Sequence, residues 1–191
     1  MIKTYAMMIE ELSRYSAPAN KLSRMTKEGS CIQIVKGLSE TDRSTPGYLL
    51  AGSIYGPSYL SFDFVLSRYG LIPEAVYIFT SATFEKKKSK NYTTPFGTFT
   101  YRDGPSSVYP CEVRIQSEGD YIYQIATAEK ALCDKLYTLS PVKNKKELAS
   151  LLFDDLRIDE IEFSKLDKQR LLRLCELYHC TNMKMLAKLV R

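Results

Sequence analysis

Tryptophan is absent from this 191-residue chain, histidine occurs once, and no stretch approaches the roughly 20 apolar residues that a membrane-spanning helix needs. A spanning segment is not expected, and a lone His179 leaves little room for histidine-based acid–base chemistry or a histidine-rich metal centre. Cys31, Cys111, Cys133, Cys175 and Cys180 are odd in number and contain no Cys-x-x-Cys pair, which argues against a disulfide framework and a zinc ribbon. No signal peptide is recognisable ahead of them, so the chain reads as cytoplasmic with reduced thiols. Cys175, His179 and Cys180 lie close in sequence, but structural zinc takes four ligands and no second pair exists, so no metal is expected. A phosphate-binding loop, a Gly-x-Ser-x-Gly elbow and a cysteine nucleophile with a histidine partner are also missing, and no cofactor is implied.

What is present suits a soluble binding protein. Hydrophobic residues make up 45% of the chain, enough for a core without cross-links, and the net charge is +5. The cations gather in Lys21–Lys27, in Lys86, Lys87, Lys88 and Lys90, and in an acid-free tail with Lys184, Lys188 and Arg191. The second group lies between Phe84 and Tyr92, where it either grips nucleic acid by charge and stacking or forms a solvated hairpin tip. Gly52-Ser53 followed by Asp63 resembles the opening of a nucleotidyltransferase signature, but Val65 stands where the second magnesium-binding aspartate belongs. Asp63 is better read as a charge in the first turn of a helix.

The most informative stretch runs from Pro18 to Ser39. At 100° per residue, Lys21, Arg24, Lys27 and Glu28 share one side of a helix, with Ala19, Leu22, Met25 and Thr26 opposite. Gly29 suits the left-handed position that ends a helix, and Ile32, Ile34 and Gly37 then alternate as a strand turning back through Lys36 and Leu38. A basic helix followed by a small hairpin is the pattern of a winged helix. Its DNA-contacting residues would be Asn20, Lys21, Arg24, Lys27 and Lys36, although such a face is also common as plain solvated surface.

Ile2 to Tyr15 carries apolar residues three and four apart and reads as a supporting amphipathic helix. The polar run between Glu40 and Gly47 is the best boundary, giving residues 1–45 and 46–191. In the second part a helix is expected from Ser58 or Ser61 to Tyr69, then strands at Val76–Thr80, Gly97–Tyr101, Cys111–Gln116 and Tyr121–Ile125. Helices follow at Ala128–Leu139, Lys145–Phe153, Asp167–Tyr178 and Asn182–Val190. The expected class is α+β: a small winged-helix-like domain, truncated by a shortened or missing helix, and a larger domain with a mainly antiparallel sheet and C-terminal helices.

Four segments resemble AbiEi-type antitoxins in their order: Tyr55-Gly56-Pro57-Ser58-Tyr59-Leu60-Ser61-Phe62, Gly70-Leu71-Ile72-Pro73-Glu74, Thr94-Pro95-Phe96-Gly97-Thr98-Phe99 and Ala126-Thr127-Ala128-Glu129-Lys130-Ala131-Leu132-Cys133-Asp134. The last is the most specific. The resemblance implies a bacterial type IV toxin–antitoxin system of phage defence, with a winged helix that represses its own operon. It further implies a C-terminal domain that counters a nucleotidyltransferase toxin, generally without stable contact. It maps Lys21, Arg24 and Lys27 onto the recognition helix, and Lys36-Gly37-Leu38 onto a wing that usually reads Arg-Gly-Leu-Tyr, with Ser39 replacing the tyrosine. A full winged helix has three helices before the wing, so one is shortened or missing here.

The leading expectation is therefore a non-enzymatic regulator binding double-stranded DNA at its own operator, as a pair if the operator is an inverted repeat. A second is a protein-interaction module that no longer reads DNA and neutralises its partner through the C-terminal domain. A third is a cryptic enzyme using Asp63, Glu129, Lys130 and Asp134, although Lys130 and Asp134 at i,i+4 spacing read first as a modest surface pair.

Overall fold

The computed structural model describes residues 1–191 as an α+β protein with two sheets. Strand β1 (Ile2–Thr4), helices α1 (Tyr5–Glu11) and α2 (Pro18–Lys27), and the hairpin β2 (Ile32–Val35) and β3 (Leu38–Glu40) form the N-terminal unit. Its antiparallel sheet has the order β1-β3-β2, with Ile2 and Ile32 both opposite Glu40. This is a winged-helix arrangement in which two helices and a strand precede the wing. The expected helix over Ile2–Tyr15 is thus corrected at its start, because Ile2, Lys3 and Thr4 pair with β3 before Thr4 caps α1 by accepting from the Met7 amide.

Local chemistry sets α2 and the wing. Pro18 occupies the first turn of α2, where its missing N–H costs nothing. Gly29 takes φ 78° just beyond the helix, and the Ser30 amide returns to the Met25 carbonyl. Gly37, at φ 84°, makes the tight turn of the wing, and its carbonyl accepts from the Tyr5 amide at 2.9 Å, bracing the wing against α1.

The second unit begins with a helical turn at Gly47–Leu50 that runs into α3 (Ala51–Ile54). Then come β4 (Ser58–Leu60), α4 (Phe62–Arg68), β5 (Ile78–Thr83), β6 (Lys90–Thr94), β7 (Gly97–Asp103), β8 (Val113–Glu118) and β9 (Tyr121–Ala126). The chain ends with α5 (Ala128–Tyr137), α6 (Lys145–Ser150), α7 (Glu160–Ser164), α8 (Lys168–Tyr178) and α9 (Thr181–Val190). The sheet order is β6-β7-β5-β4-β9-β8. Three of its five pairings, β4–β5, β6–β7 and β8–β9, are antiparallel as expected, while β5 lies parallel to β7 and β4 parallel to β9, so the sheet is mixed. Of the two expected starts of the next helix, Ser61 is the one observed, as the N-cap of α4, while Ser58–Leu60 is a central strand. Since β7 lies between β5 and β6, residues 84–89 form a crossing connection and not a hairpin tip.

The core is unequal. One cluster of 34 buried residues spans the large sheet and its helices, whereas α1 and α2 share only Met8, Leu12, Leu22 and Cys31. A buried side chain of this kind contributes about 1.5–3 kcal/mol, and ordering a residue costs about 1–2 kcal/mol, so four cannot hold the N-terminal unit alone. The unit rests on the larger core through Ile34, with Ile2, Val35 and Leu38 packed against it. All five cysteines are unbridged.

A polar latch reinforces that junction. The Glu40 side chain is fully buried at the end of β3 and accepts from the Thr41 and Asp42 amides at 2.7 and 3.0 Å, and from the Tyr121 hydroxyl at 2.9 Å. The Met1 ammonium also contacts it. Burial pushes the Glu40 carboxyl up, but these donors together outweigh it and hold the group below its ordinary value. Because the folded value is the lower one, Glu40 stabilises the fold above the ordinary carboxylate range, and the contribution fades as pH falls toward the lowered value. Glu40→Gln should therefore cost about 1–3 kcal/mol at pH 7 and much less near pH 3. Urea unfolding at both pH values checks this, and a pH-independent cost would rule out the latch.

Candidate nucleic-acid interface

On α2, Leu22 is buried and Met25 packs beside it against the Met8–Leu12–Cys31 cluster, which fixes the helix by one face. The opposite side carries Asn20, Arg24 and Lys27 in solvent, with Lys21 half-buried. Ala19 and Thr26, expected on the buried side, are exposed, because the helix touches its support only through Leu22 and Met25. Lys36 stands exposed at the tip of the wing. None of Lys21, Arg24, Lys27 or Lys36 pairs with a carboxylate of the protein, so all four keep their charge available for an outside anion. By contrast Lys3 is engaged by Glu11 at 2.6 Å.

Two residues that sequence reasoning passed over complete this surface. The Tyr15 ring, in the turn between α1 and α2, carries the Arg14 guanidinium at 5.2 Å and the Lys21 ammonium at 5.5 Å from its centroid. This cation–π contact holds the stem of Lys21 and adds Arg14 to the basic surface. The signal was present in Arg14-Tyr15 directly before the Ser16-Ala17-Pro18 turn.

The second group of candidates is buried instead. Lys130 and Asp134 on α5 have 0% and 2% exposure, which overturns the surface-pair reading. The Lys130 ammonium lies 3.2 Å from Asp134 Oδ1 and donates to the Val108 carbonyl at 3.0 Å and the Tyr178 hydroxyl at 2.7 Å. Asp134 Oδ2 accepts from Tyr59 at 2.9 Å and Ser61 at 2.6 Å, and Oδ1 accepts from Tyr178. Burial, then the Asp134 charge, pushes the Tyr59 and Tyr178 phenols well above their ordinary value, so both remain donors. Glu129 faces a different neighbour: it accepts from the Asp167 amide at 2.9 Å and from Arg170 at 3.2 Å. Thr127 caps α5 through the Lys130 amide. The polar groups of the Thr-x-Glu-Lys-Ala-Leu-x-Asp stretch are thus turned inward, onto neighbouring elements.

The remaining candidates also find local partners. Asp63 pairs with Lys135 at 2.7 Å in the first turn of α4, and Gly52 and Ser53 lie inside α3. His179 takes the left-handed position after α8, and no group of three His, Cys, Asp or Glu side chains is placed to hold a metal ion. No helix is long and apolar enough to cross a membrane. Compared with models of known families the chain matches none, and no curated protein matches it.

The buried pair makes a firm prediction. Removing one partner strands a buried charge, so Lys130→Met and Asp134→Leu should each cost about 3–5 kcal/mol, whereas Lys130→Met/Asp134→Leu should cost clearly less than the two single changes added together. Urea denaturation of the three variants decides; additive costs, or a single-variant cost under about 1 kcal/mol, would mean that the network does not hold the fold.

Proposed function

We propose that this chain is a non-enzymatic bacterial antitoxin and DNA-binding transcriptional regulator of the AbiEi kind, acting on its own operator and countering a nucleotidyltransferase toxin. The observation that carries the reading is a helix-turn-helix and wing whose Lys21, Arg24, Lys27 and Lys36 are all free of internal ion pairs. Cations held on a rigid helix and left unneutralised suit the phosphate contacts that position a duplex, while Asn20 in the first turn of α2 is placed like a base reader. The inward-turned Glu129, Lys130 and Asp134 favour a structural role for the most specific stretch, which supports binding over catalysis.

One observation favours a second reading, a protein-interaction module that acts on the toxin directly. Ile115 and Ile122, 72% and 75% exposed, lie on one face of the β8–β9 hairpin at the edge of the large sheet. They line a groove of about 250 Å³ with Leu49 and Pro57. Large apolar side chains on a solvent face suit a protein partner.

A reporter driven by the chain's own promoter, read beside growth of cells co-expressing the toxin, separates the two. Lys21→Ala/Arg24→Ala/Lys27→Ala should release repression while leaving growth rescue intact. Ile115→Asp/Ile122→Asp should leave repression intact, and should abolish rescue only if the second reading holds. Repression unchanged in the triple variant would contradict the regulator.

A further inference from the structure

A large cleft lies away from α2, between the 84–89 connection, strands β6 and β7, and the end of α5. It has a volume of about 670 Å³, open to solvent, within the size range of small-ligand sites. Lys87, Lys88 and Arg102 face it, and none of the three has a carboxylate or hydrogen-bond partner for its side chain. Asn91 and Thr138 add neutral donors at its walls, and the Tyr137 ring, 39% exposed, stands at its edge.

The connection that carries the lysines is built to a definite shape. Glu85 and Lys87 both adopt left-handed backbone conformations, at φ 51° and 53°, which residues with a Cβ enter only when the surroundings hold them there. Asp103 does so: one oxygen accepts from the Thr83 hydroxyl and the other from the Lys87 amide. Asp103 itself lines the cleft, so three cations there stand against one carboxylate, whose oxygens are engaged by the backbone and a hydroxyl and pair with no lysine or arginine. The aromatics flanking the run are half-buried among other rings, whereas Tyr137 stays exposed although its ring also packs on Tyr178 at 5.8 Å. Phe84 packs on Tyr109 with centroids 5.0 Å apart, and Tyr92 on Tyr55 and Tyr101 at 6.1 and 5.9 Å. A single strand stacking along Phe84 and Tyr92 is therefore disfavoured, and a compact polyanion fits better.

We propose that this cleft binds the triphosphate chain of a nucleoside triphosphate, with Lys87, Lys88 and Arg102 on the phosphate oxygens and Tyr137 beside the base. Two lysines act as mobile point charges and the arginine as a planar fork, a combination that suits adjacent phosphate groups. The site is independent of the DNA-reading surface, which lies on other elements.

Isothermal titration of the full chain with ATP, GTP and inorganic tripolyphosphate, at low and physiological salt, tests it. The expected result is saturable binding with Kd of about 10–500 µM, weakened at least about tenfold in Lys87→Ala/Lys88→Ala/Arg102→Ala, whose melting temperature should be unchanged because all three side chains are exposed. The Lys21/Arg24/Lys27 alanine variant should bind as the parent does. Tripolyphosphate binding alongside the nucleotides supports the site through its phosphate chemistry, and tighter nucleotide binding that is lost in Tyr137→Ala supports the base contact as well. No saturation by any of the three anions at 5 mM, about tenfold above the weakest expected Kd, overturns the proposal. So does binding that the cleft variant leaves unchanged, or a cleft variant that loses only duplex DNA.

Discussion

The larger unit depends on one buried ion pair. Lys130 and Asp134 sit a single turn apart on α5, inside a helix whose neighbours Ala131, Leu132, Cys133 and Leu136 are also fully buried. Two charges taken out of water are costly unless every proton and lone pair finds a partner. Here the ammonium donates to Val108 and Tyr178 and forms an ion pair with Asp134, while the carboxylate gathers Tyr59, Ser61 and Tyr178. Those partners come from the loop before β8, from β4 and the residue after it, and from α8. Satisfying the pair therefore sets where sheet and helices stand around α5. Asn182 completes the arrangement at the far end of α5, where its amide donates to the Leu136, Leu139 and Ser140 carbonyls and accepts from the Val142 amide.

The N-terminal unit stands in a different relation to the whole. Its own apolar cluster is too small to be self-sufficient, so the position of α2 depends on the wing lying against the large core and on Glu40 joining β3 to Tyr121. A helix that reads DNA must present its side chains in a fixed geometry. In this chain the placement of α2 is supplied partly by the second unit, so under the proposed function residues 46–191 would have a mechanical part in DNA reading.

Features specified by local chemistry were legible in the sequence. The bounds of α2, the left-handed Gly29 and the Gly37 turn follow from residue types within a few positions of each other. Features set by distant pairing were not. Ile2 and Tyr5 match a helical spacing, yet β1 exists because β3 returns beside it, and the three residues of β4 are a strand only because β5 and β9 flank them. The lysine-rich connection resembles a hairpin tip until β7 is placed between β5 and β6. Lys130 and Asp134 have the spacing of an ordinary surface pair, and with Glu129 and Lys135 four of the ten residues of α5 are charged, so nothing in the local pattern marks the pair as buried; only the packing of β4 and α8 around α5 does.

The same division applies to function. Which cations lie on α2 was visible in the sequence; that none of them is neutralised, and that Arg14 and Tyr15 join them, depended on the fold. The central claim is that these free cations grip a specific duplex, and fluorescence anisotropy on the chain's own upstream DNA, against a scrambled duplex over a salt series, tests it most directly. The account predicts preference for the upstream duplex and a steep salt dependence, with the slope of log K against log salt shallower by about 0.9 for each phosphate contact removed in Lys21→Ala/Arg24→Ala/Lys27→Ala. Equal affinity for both duplexes, or a slope that the triple variant leaves unchanged, would contradict it.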